Sequence, residues 1–328
     1  MPETVMERAI HADALEFAEK FNRVPFEVTH HLADDPLFDL DHVIDLTQRV
    51  ESRQNPHRPW GDIYANIGDV EPGLKVVDGK RPSIPASELI RRIEESRAWI
   101  TLEHVEREEG YRELLQRCIC DLLELSGKEV MKQIKWFDAI LFVTSPGRVT
   151  HYHIDRECAW LVQLRGDKEI HLFDKRDKQV VPDEELERFW NVDNGAGTYK
   201  PEYECRAMVY TMHPGTGVHI PVNCPHWLKN GTDVSISMNV NFQFHDEIWG
   251  NIFKVNHYLR RLGLHPNSPG EHPWRDNIKR HAFSTVRQLN HMRKGKQEIP
   301  EEALEDYRRI QHLLDAREHL NNMNGTVH

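Results

Sequence analysis

Val149-Thr150-His151-Tyr152-His153-Ile154-Asp155 is the stretch whose reading decides the fold of this chain. Its β-branched and aromatic residues follow a Pro146-Gly147 turn signal and suit a strand. Residues two apart on a strand share a face, so His153 and Asp155 project together and His151 joins them. Far downstream, Ile220-Pro221-Val222-Asn223-Cys224-Pro225-His226-Trp227 delivers His226 from another strand end, after a proline-rich turn. H-x-D plus a distant histidine is the donor set of a two-histidine, one-carboxylate triad. Such a triad covers one face of Fe(II) and leaves the other open. One histidine among 21 says little by itself; the set and its strand setting carry the reading. A rival set remains open: His151, His153, Glu157 and His226, the three-histidine-plus-glutamate pattern of small cupins. Against it, Glu157 is badly spaced from Gly166, and Asp155 would be left beside the metal without a role.

Working outward, strands are expected at Ala139–Thr144, Val149–Asp155, Ala159–Leu164, Lys168–Phe173, Ala207–Met212, Val218–Pro221 and Val234–Phe244. Turn signals at Arg165-Gly166-Asp167, Pro214-Gly215 and Asn230-Gly231 separate them. Short strands of this kind predict an antiparallel sandwich or jelly roll. The connection from Asp174 to Arg206 is long for a compact β domain. It contains a short helix expected at Asp183–Trp190 and a glycine-rich piece, Asn194-Gly195-Ala196-Gly197. Such a connection is often a functional lid, the alternative being a rigid excursion packed through Phe189 and Trp190. Trp160, Trp190 and Trp227 read first as core residues, with a pocket wall as the alternative.

The flanks differ from this core. Met6, Ile10, Ala14, Phe17 and Phe21 recur at helical spacing, and strand-like runs follow at Phe26–Thr29 and Val43–Leu46. Helices are expected from Ser87 and over Glu109–Ser126, the latter ended by Gly127. Cys118 and Cys120 fall inside this second helix and read as core. Beyond Phe244 the chain reads as helical, with Leu304, Tyr307, Ile310, Leu313, Leu314 and Leu320 on one face. The fold class is therefore mainly β with flanking helices. An α+β N-terminal region (1–128) precedes the β core (129–246), and a helical C-terminal region (247–328) follows.

Hydrophobic content of 39% and charged content of 29% over 328 residues fit a globular protein with ample core. No apolar run is long enough to cross a bilayer. The N-terminus has no apolar signal-peptide stretch, and five scattered cysteines suggest reduced thiols, so the cytoplasm is expected. A net charge of −11 argues against a dedicated nucleic-acid binder, although Lys279 to Lys296 is locally basic.

After Asp155 the chain runs Trp160-Leu161-Val162-Gln163-Leu164-Arg165-Gly166-Asp167-Lys168. The order H-x-D, Gln, Gly-x-Lys, Ile-Pro…His and a closing Ser-x-x-x-Asn-Phe strand resembles the JmjC and cupin-like Fe(II)/2-oxoglutarate dioxygenases. It is most similar to the branch with the asparaginyl hydroxylase of hypoxia-inducible factor and bacterial cupin-like proteins. The resemblance covers about Thr150 to Phe244 and implies a double-stranded β-helix core. It also implies that Fe(II) is held by His153, Asp155 and His226. Lys168 would bind the distal carboxylate of 2-oxoglutarate, with added hydrogen bonds from Thr150 and Asn241. A dianion inside a barrel needs a fixed compensating charge, which a strand lysine supplies. The implied reaction uses O2 and couples 2-oxoglutarate decarboxylation to C–H oxidation, commonly hydroxylation. Two departures stand out. Ala159 replaces an asparagine of the hydroxylase branch, and Asn223 stands where small cupins have glycine, a turn that asparagine tolerates. Thr150 is out of phase with His153 on a regular strand.

The substrate is not named by these residues and is a small molecule or a protein or peptide. The resemblance also suggests a homodimer through the C-terminal helices. Two other classes stay open: a metal-dependent cupin of another reaction type, such as an isomerase or a 2-oxoglutarate-independent dioxygenase, and a non-catalytic binding protein.

Overall fold

Two antiparallel sheets face each other across a cavity, and the alternation of polar and apolar residues along their strands decides which face lines it. The structure, a computed structural model, describes residues 8–53, 62–75, 80–191, 193, 195–245, 250–294, 308, 310, 312, 314 and 315. The N-terminal elements are β1 (Ile10–His11), α1 (Ala14–Lys20), β2 (Phe26–His30), α2 (Leu40–Arg53), β3 (Ile63–Ile67), α3 (Ala86–Arg91), β4 (Ala98–Glu103), α4 (Tyr111–Ser126) and α5 (Lys128–Met131). Then follow β5 (Ile134–Thr144), β6 (Val149–His153), β7 (Cys158–Arg165), β8 (Lys168–Leu172), α6 (Asp183–Asn191), β9 (Met208–Met212), β10 (Thr216–Ile220), β11 (His226–Asn230) and β12 (Ser235–Phe244). Helices α7 (Gly250–Arg261) and α8 (Pro273–Lys294) come last.

The large sheet has the order β1-β2-β10-β7-β12-β5-β4-β3, and the small sheet β6-β11-β8-β9. Within it, β5-β12-β7-β10 faces β6-β11-β8-β9. The eight strands from β5 to β12 thus wind between two four-stranded antiparallel layers, which is the double-stranded β-helix, or jelly roll. The N-terminal region extends this large sheet at both edges, through β4 and β3 beside β5 and through β2 and β1 beside β10.

Strand β12 shows why the layers sit as they do. Ile236, Met238, Val240 and Phe242 are buried on its outer face in one core cluster with Phe17, Leu46, Leu114 and Leu122 of the N-terminal helices. Each such side chain contributes about 1.5–3 kcal/mol by leaving water. Ser237, Asn239, Asn241 and Gln243 point the other way and line the cavity. A second apolar cluster, including Leu161, Ile170, Leu172, Val218, Ile220 and Leu228, packs between the two sheets. The turn into β8 needs Gly166, whose φ is +66° and where a side chain would run into the Val234 carbonyl.

Several sequence expectations change on folding. Met6 lies outside the described residues, and the remaining apolar positions up to Phe21 do not form one helix. Ile10 and His11 pair with β2, because the Asp121 carboxylate takes the backbone N–H groups of Ala9 and Ile10. Asp13 then caps α1 by accepting from the N–H groups of Leu15 and Glu16. The run Val43–Leu46, expected as a strand, lies within α2, where Val43, Ile44, Leu46, Thr47 and Val50 form its buried face. Strands β3 and β4 were not anticipated at all. Helix α4 matches its expected span, with Cys118 and Cys120 buried and Gly127 at its end. Of the C-terminal stripe, Ile310 is buried in the main cluster and Leu314 packs against it; Leu304, Tyr307, Leu313 and Leu320 lie outside the described residues. Among the described residues no helix is long and apolar enough to cross a membrane.

Candidate metal centre

His153 ends β6, His226 begins β11, and the two are register partners across the small sheet. Asp155 follows two residues after His153. The Asp155 Oδ2 atom lies 3.8 Å from His153 Nε2 and 3.6 Å from His226 Nε2. One ligand atom from each residue lies within 4.8 Å of the others, close enough to share one ion. Among the described residues this is the sole group of three or more histidine, cysteine or acidic side chains so arranged. Neither His151 nor Glu157 joins it, although both line the same cavity.

The hydrogen bonds behind the imidazoles set their tautomers. His153 Nδ1 lies 2.8 Å from the His151 carbonyl, and His226 Nδ1 lies 3.0 Å from the Cys224 carbonyl. A carbonyl only accepts, so each Nδ1 carries the proton and each Nε2 turns its lone pair inward. Burial, then the neighbouring His153, pushes the His226 imidazole down to about 4, which keeps it neutral. Neutral imidazoles and one carboxylate, with the far side open to a cavity, suit a divalent iron-type ion.

The bulge between β6 and β11 answers the phase of Thr150. His226 pairs with His153, yet Leu228 pairs with Thr150, so three steps on β6 match two on β11. The extra residue flips the side-chain phase and lets Thr150 and His153 both line the cavity.

That cavity is about 1310 Å³ and opens beside the three residues. Lys168 lines it from the first position of β8. It is only 4% exposed, and its Nζ donates to Ser237 Oγ at 2.6 Å. Burial pushes its ammonium down to about 7. Among the described residues no carboxylate is paired with it. Asn241 also lines the cavity, but its Nδ2 donates to Asp138 Oδ1 at 2.8 Å, and its Oδ1 is buried with no hydrogen-bond partner among the described residues.

Sequence reasoning missed Ser237, Asp138 and Gln243. The polar residues at every second position of β12, from Ser235 to Gln243, were the available signal. Asn223 does adopt the left-handed backbone, at φ +64°. Its N–H donates to the Asp155 carbonyl at 3.1 Å. Trp160, Trp190 and Trp227 are buried rather than cavity-lining; among the described residues the cavity's tryptophans are Trp99 and Trp136, on strands β4 and β5.

The connection after β8 is well packed. Val180, Val181, Leu186, Phe189 and Trp190 are buried, and Glu187 accepts two hydrogen bonds from Arg260 of α7 at 2.9 Å. The connection reaches the cavity through Phe189, Asp193, Gly195 and Gly197, and the Gly195 and Gly197 carbonyls accept from Lys75.

No family model matches the sequence, and no curated protein does. Solved structures do resemble it. An X-ray structure of Escherichia coli YcfD aligns at 15% identity over 86% of this chain and 69% of that one, with a TM-score of 0.49. YcfD, a ribosomal oxygenase, in complex with cobalt and 2-oxoglutarate aligns at 13% identity over 85% and 68%, with a TM-score of 0.44. Its complex with cobalt and succinic acid gives 15% identity, the same coverage and the same score. The fold assignment for this chain rests on its own strand order: it is a double-stranded β-helix protein with a two-histidine, one-carboxylate cluster at the cavity wall.

Proposed function

We propose that this protein is an Fe(II)- and 2-oxoglutarate-dependent oxygenase that uses O2 to oxidise a C–H bond, in the first instance by hydroxylation. One observation carries the reading: the His153, Asp155 and His226 cluster shares a cavity with a buried lysine that has no carboxylate partner among the described residues. The neighbouring fold of YcfD, seen with cobalt and with 2-oxoglutarate, is consistent with it.

In this reading His153, Asp155 and His226 hold the metal through two Nε2 atoms and a carboxylate. Bound iron with 2-oxoglutarate and O2 supplies the oxidation, and the cosubstrate leaves as succinate and CO2. The protein does the positioning. Lys168, held by Ser237, meets the distal carboxylate as a fixed charge, worth most because the surroundings are dry. Thr150 adds a hydroxyl at the same end. Asn241 reaches the cosubstrate only by turning its amide and giving up Asp138. Backbone carbonyls at His151 and Cys224 keep the imidazoles neutral and aimed.

The substrate is a small molecule or a protein or peptide, and the cytoplasm is the proposed location. A homodimer through the C-terminal helices belongs to the same reading, with exposed Trp274 and Ile278 on α8 offering apolar surface.

The deciding experiment is anaerobic titration with Fe(II) and then 2-oxoglutarate. A weak visible charge-transfer band of the chelated 2-oxo acid is expected in the wild type and not in His226→Ala. A wild-type protein that binds iron but never develops the band is not a 2-oxoglutarate oxygenase.

A further inference from the structure

Lys75 and Lys168 are the lysines that line the cavity among the described residues, and their side chains are held differently. Lys75 donates to the Gly195 and Gly197 carbonyls. Lys168 is buried, and among the described residues its sole hydrogen-bond partner is Ser237 Oγ, at 2.6 Å. An ammonium has three N–H groups to place, so a single hydroxyl serves it poorly. A neutral amine suits the same place better, because it needs no counter-charge in a dry site. Burial accordingly holds the group down to about 7, which leaves a large share of it as free amine near neutral pH. A desolvated, uncharged lysine amine is a nucleophile.

Its surroundings select the electrophile. Register sets Lys168 beside Asn230, two residues after Leu228, and sets Ser237 beside Phe142 and Asn239 beside Leu161. Phe142, Leu161, Leu228 and Ile220 line the cavity and belong to the apolar cluster between the sheets. A small uncharged molecule therefore approaches the amine without giving up polar hydration. Donors stand at the same end. They are the hydroxyl of Ser237 and the amide of Asn239, whose Oδ1 is buried and whose Nδ2 is bonded to no other described residue. They suit a carboxylate formed on the amine itself. CO2 meets both conditions, being apolar as a reactant and a carboxylate as an adduct.

We infer that the ligand-free protein takes up CO2 on Lys168 as an Nζ carbamate, a reversible covalent modification. The Nζ lone pair forms an N–C bond, one C–O π pair becomes a carboxylate lone pair, and one amine proton passes to water. Nothing is oxidised or reduced. One consequence rests on the oxygenase reading. Carbamylation removes the cation that would meet the distal carboxylate of 2-oxoglutarate and puts an anion in its place, so the cosubstrate and CO2 exclude each other.

The test uses the full chain loaded with diamagnetic Zn(II), equilibrated with carbon-13-labelled bicarbonate at constant pH and ionic strength, and read by carbon NMR. The expected result is a protein-bound carbamate signal in the wild type that is missing in Lys168→Arg, whose guanidinium stays protonated and adds no CO2. Treatment of the wild type with triethyloxonium should fix the adduct as an ethyl carbamate, which peptide mass spectrometry places on Lys168 without recourse to any variant. No protein-bound signal, an equal signal in Lys168→Arg, or trapped label only on other amines overturns the inference. Excess 2-oxoglutarate should abolish the Lys168 signal. A Lys168 carbamate that persists under saturating 2-oxoglutarate leaves the modification standing and defeats Lys168 as the cosubstrate's anchor. A charge-transfer band in the iron-loaded protein with no carbamate on Lys168 defeats the modification and leaves the oxygenase.

Discussion

Trp190 Nε1 donates to Asn223 Oδ1 at 2.9 Å, and this single bond ties helix α6 to the turn between the metal-cluster residues. Asn223 in turn holds the Asp155 carbonyl. Arg156, next to Asp155, reaches back to the Phe189 carbonyl and stacks on Phe189 and Trp190, its guanidinium carbon 5.1 Å from each ring centre. A closed circuit therefore joins Asp155, Asn223, Trp190 and Arg156.

Trp190→Phe keeps most of this packing and deletes the Nε1 donor. Partners of this kind behind a metal site are worth roughly 10–100-fold in metal affinity. We expect a loss of about tenfold in Fe(II) affinity with the fold retained. Unchanged metal binding in a well-folded variant would show that the circuit serves stability only.

His226→Ala should abolish stoichiometric iron binding, and Asp155→Ala should weaken it severely. Glu157→Ala should leave the metal in place, since Glu157 is bound to Gln243 and stands outside the ligand group. Metal analysis of the three purified variants decides the matter. Loss of iron in Glu157→Ala but not in Asp155→Ala would restore the small-cupin ligand set.

Lys168→Ala should keep iron and weaken 2-oxoglutarate by about 2–5 kcal/mol, the range for removing one partner of a buried charge pair. Equal cosubstrate affinity in variant and wild type removes the reason for naming 2-oxoglutarate.

The same lysine predicts a pH dependence. Its folded value is depressed from 10.5 to about 7. Between those values the unfolded chain binds more protons, so stability of the ligand-free protein should rise with pH over that window. The steepest slope from one such group is about 1.4 kcal/mol per pH unit. Over the same window 2-oxoglutarate affinity should fall, because its binding must recharge the amine. Denaturant titrations and calorimetry at pH 7 and pH 9 test both signs. Slopes identical in wild type and Lys168→Met would show that Lys168 is not the group.

Helix α6 should exchange its amides slowly even without ligands, because Leu186, Phe189 and Trp190 are buried and Glu187 is paired with Arg260. Ligand-dependent protection is expected at Gly195 and Gly197, which line the cavity beyond the packed helix. Fast exchange throughout Glu184–Asn191 in the free protein would mean that the whole connection moves as a lid.

Much of the centre was legible in the sequence because it rests on local rules. H-x-D on a strand puts two ligands on one face by period alone, and short strands between turn signals describe a jelly roll before any packing is known. Gly166 and Asn223 could be read as positive-φ turns from residue type. The run Val43–Leu46 was misread because a short apolar stretch does not reveal its period, and only burial along α2 shows it.

Tertiary structure decided the rest, since those features depend on pairings between distant strands. A bulge between β6 and β11 brings Thr150 into phase with His153, and no property of residues 149–155 alone encodes it. Strands β3 and β4 join the sheet and carry Trp99 and Glu103 to the cavity. Register between β12 and β5 sets Asn241 against Asp138, so that the Asn241 amide donates to the Asp138 carboxylate at the cavity wall. The sequence determined which side chains are candidates for a metal and an anion; strand pairing determined which of them share a cavity, because only the paired sheets fix distances between residues far apart in the chain.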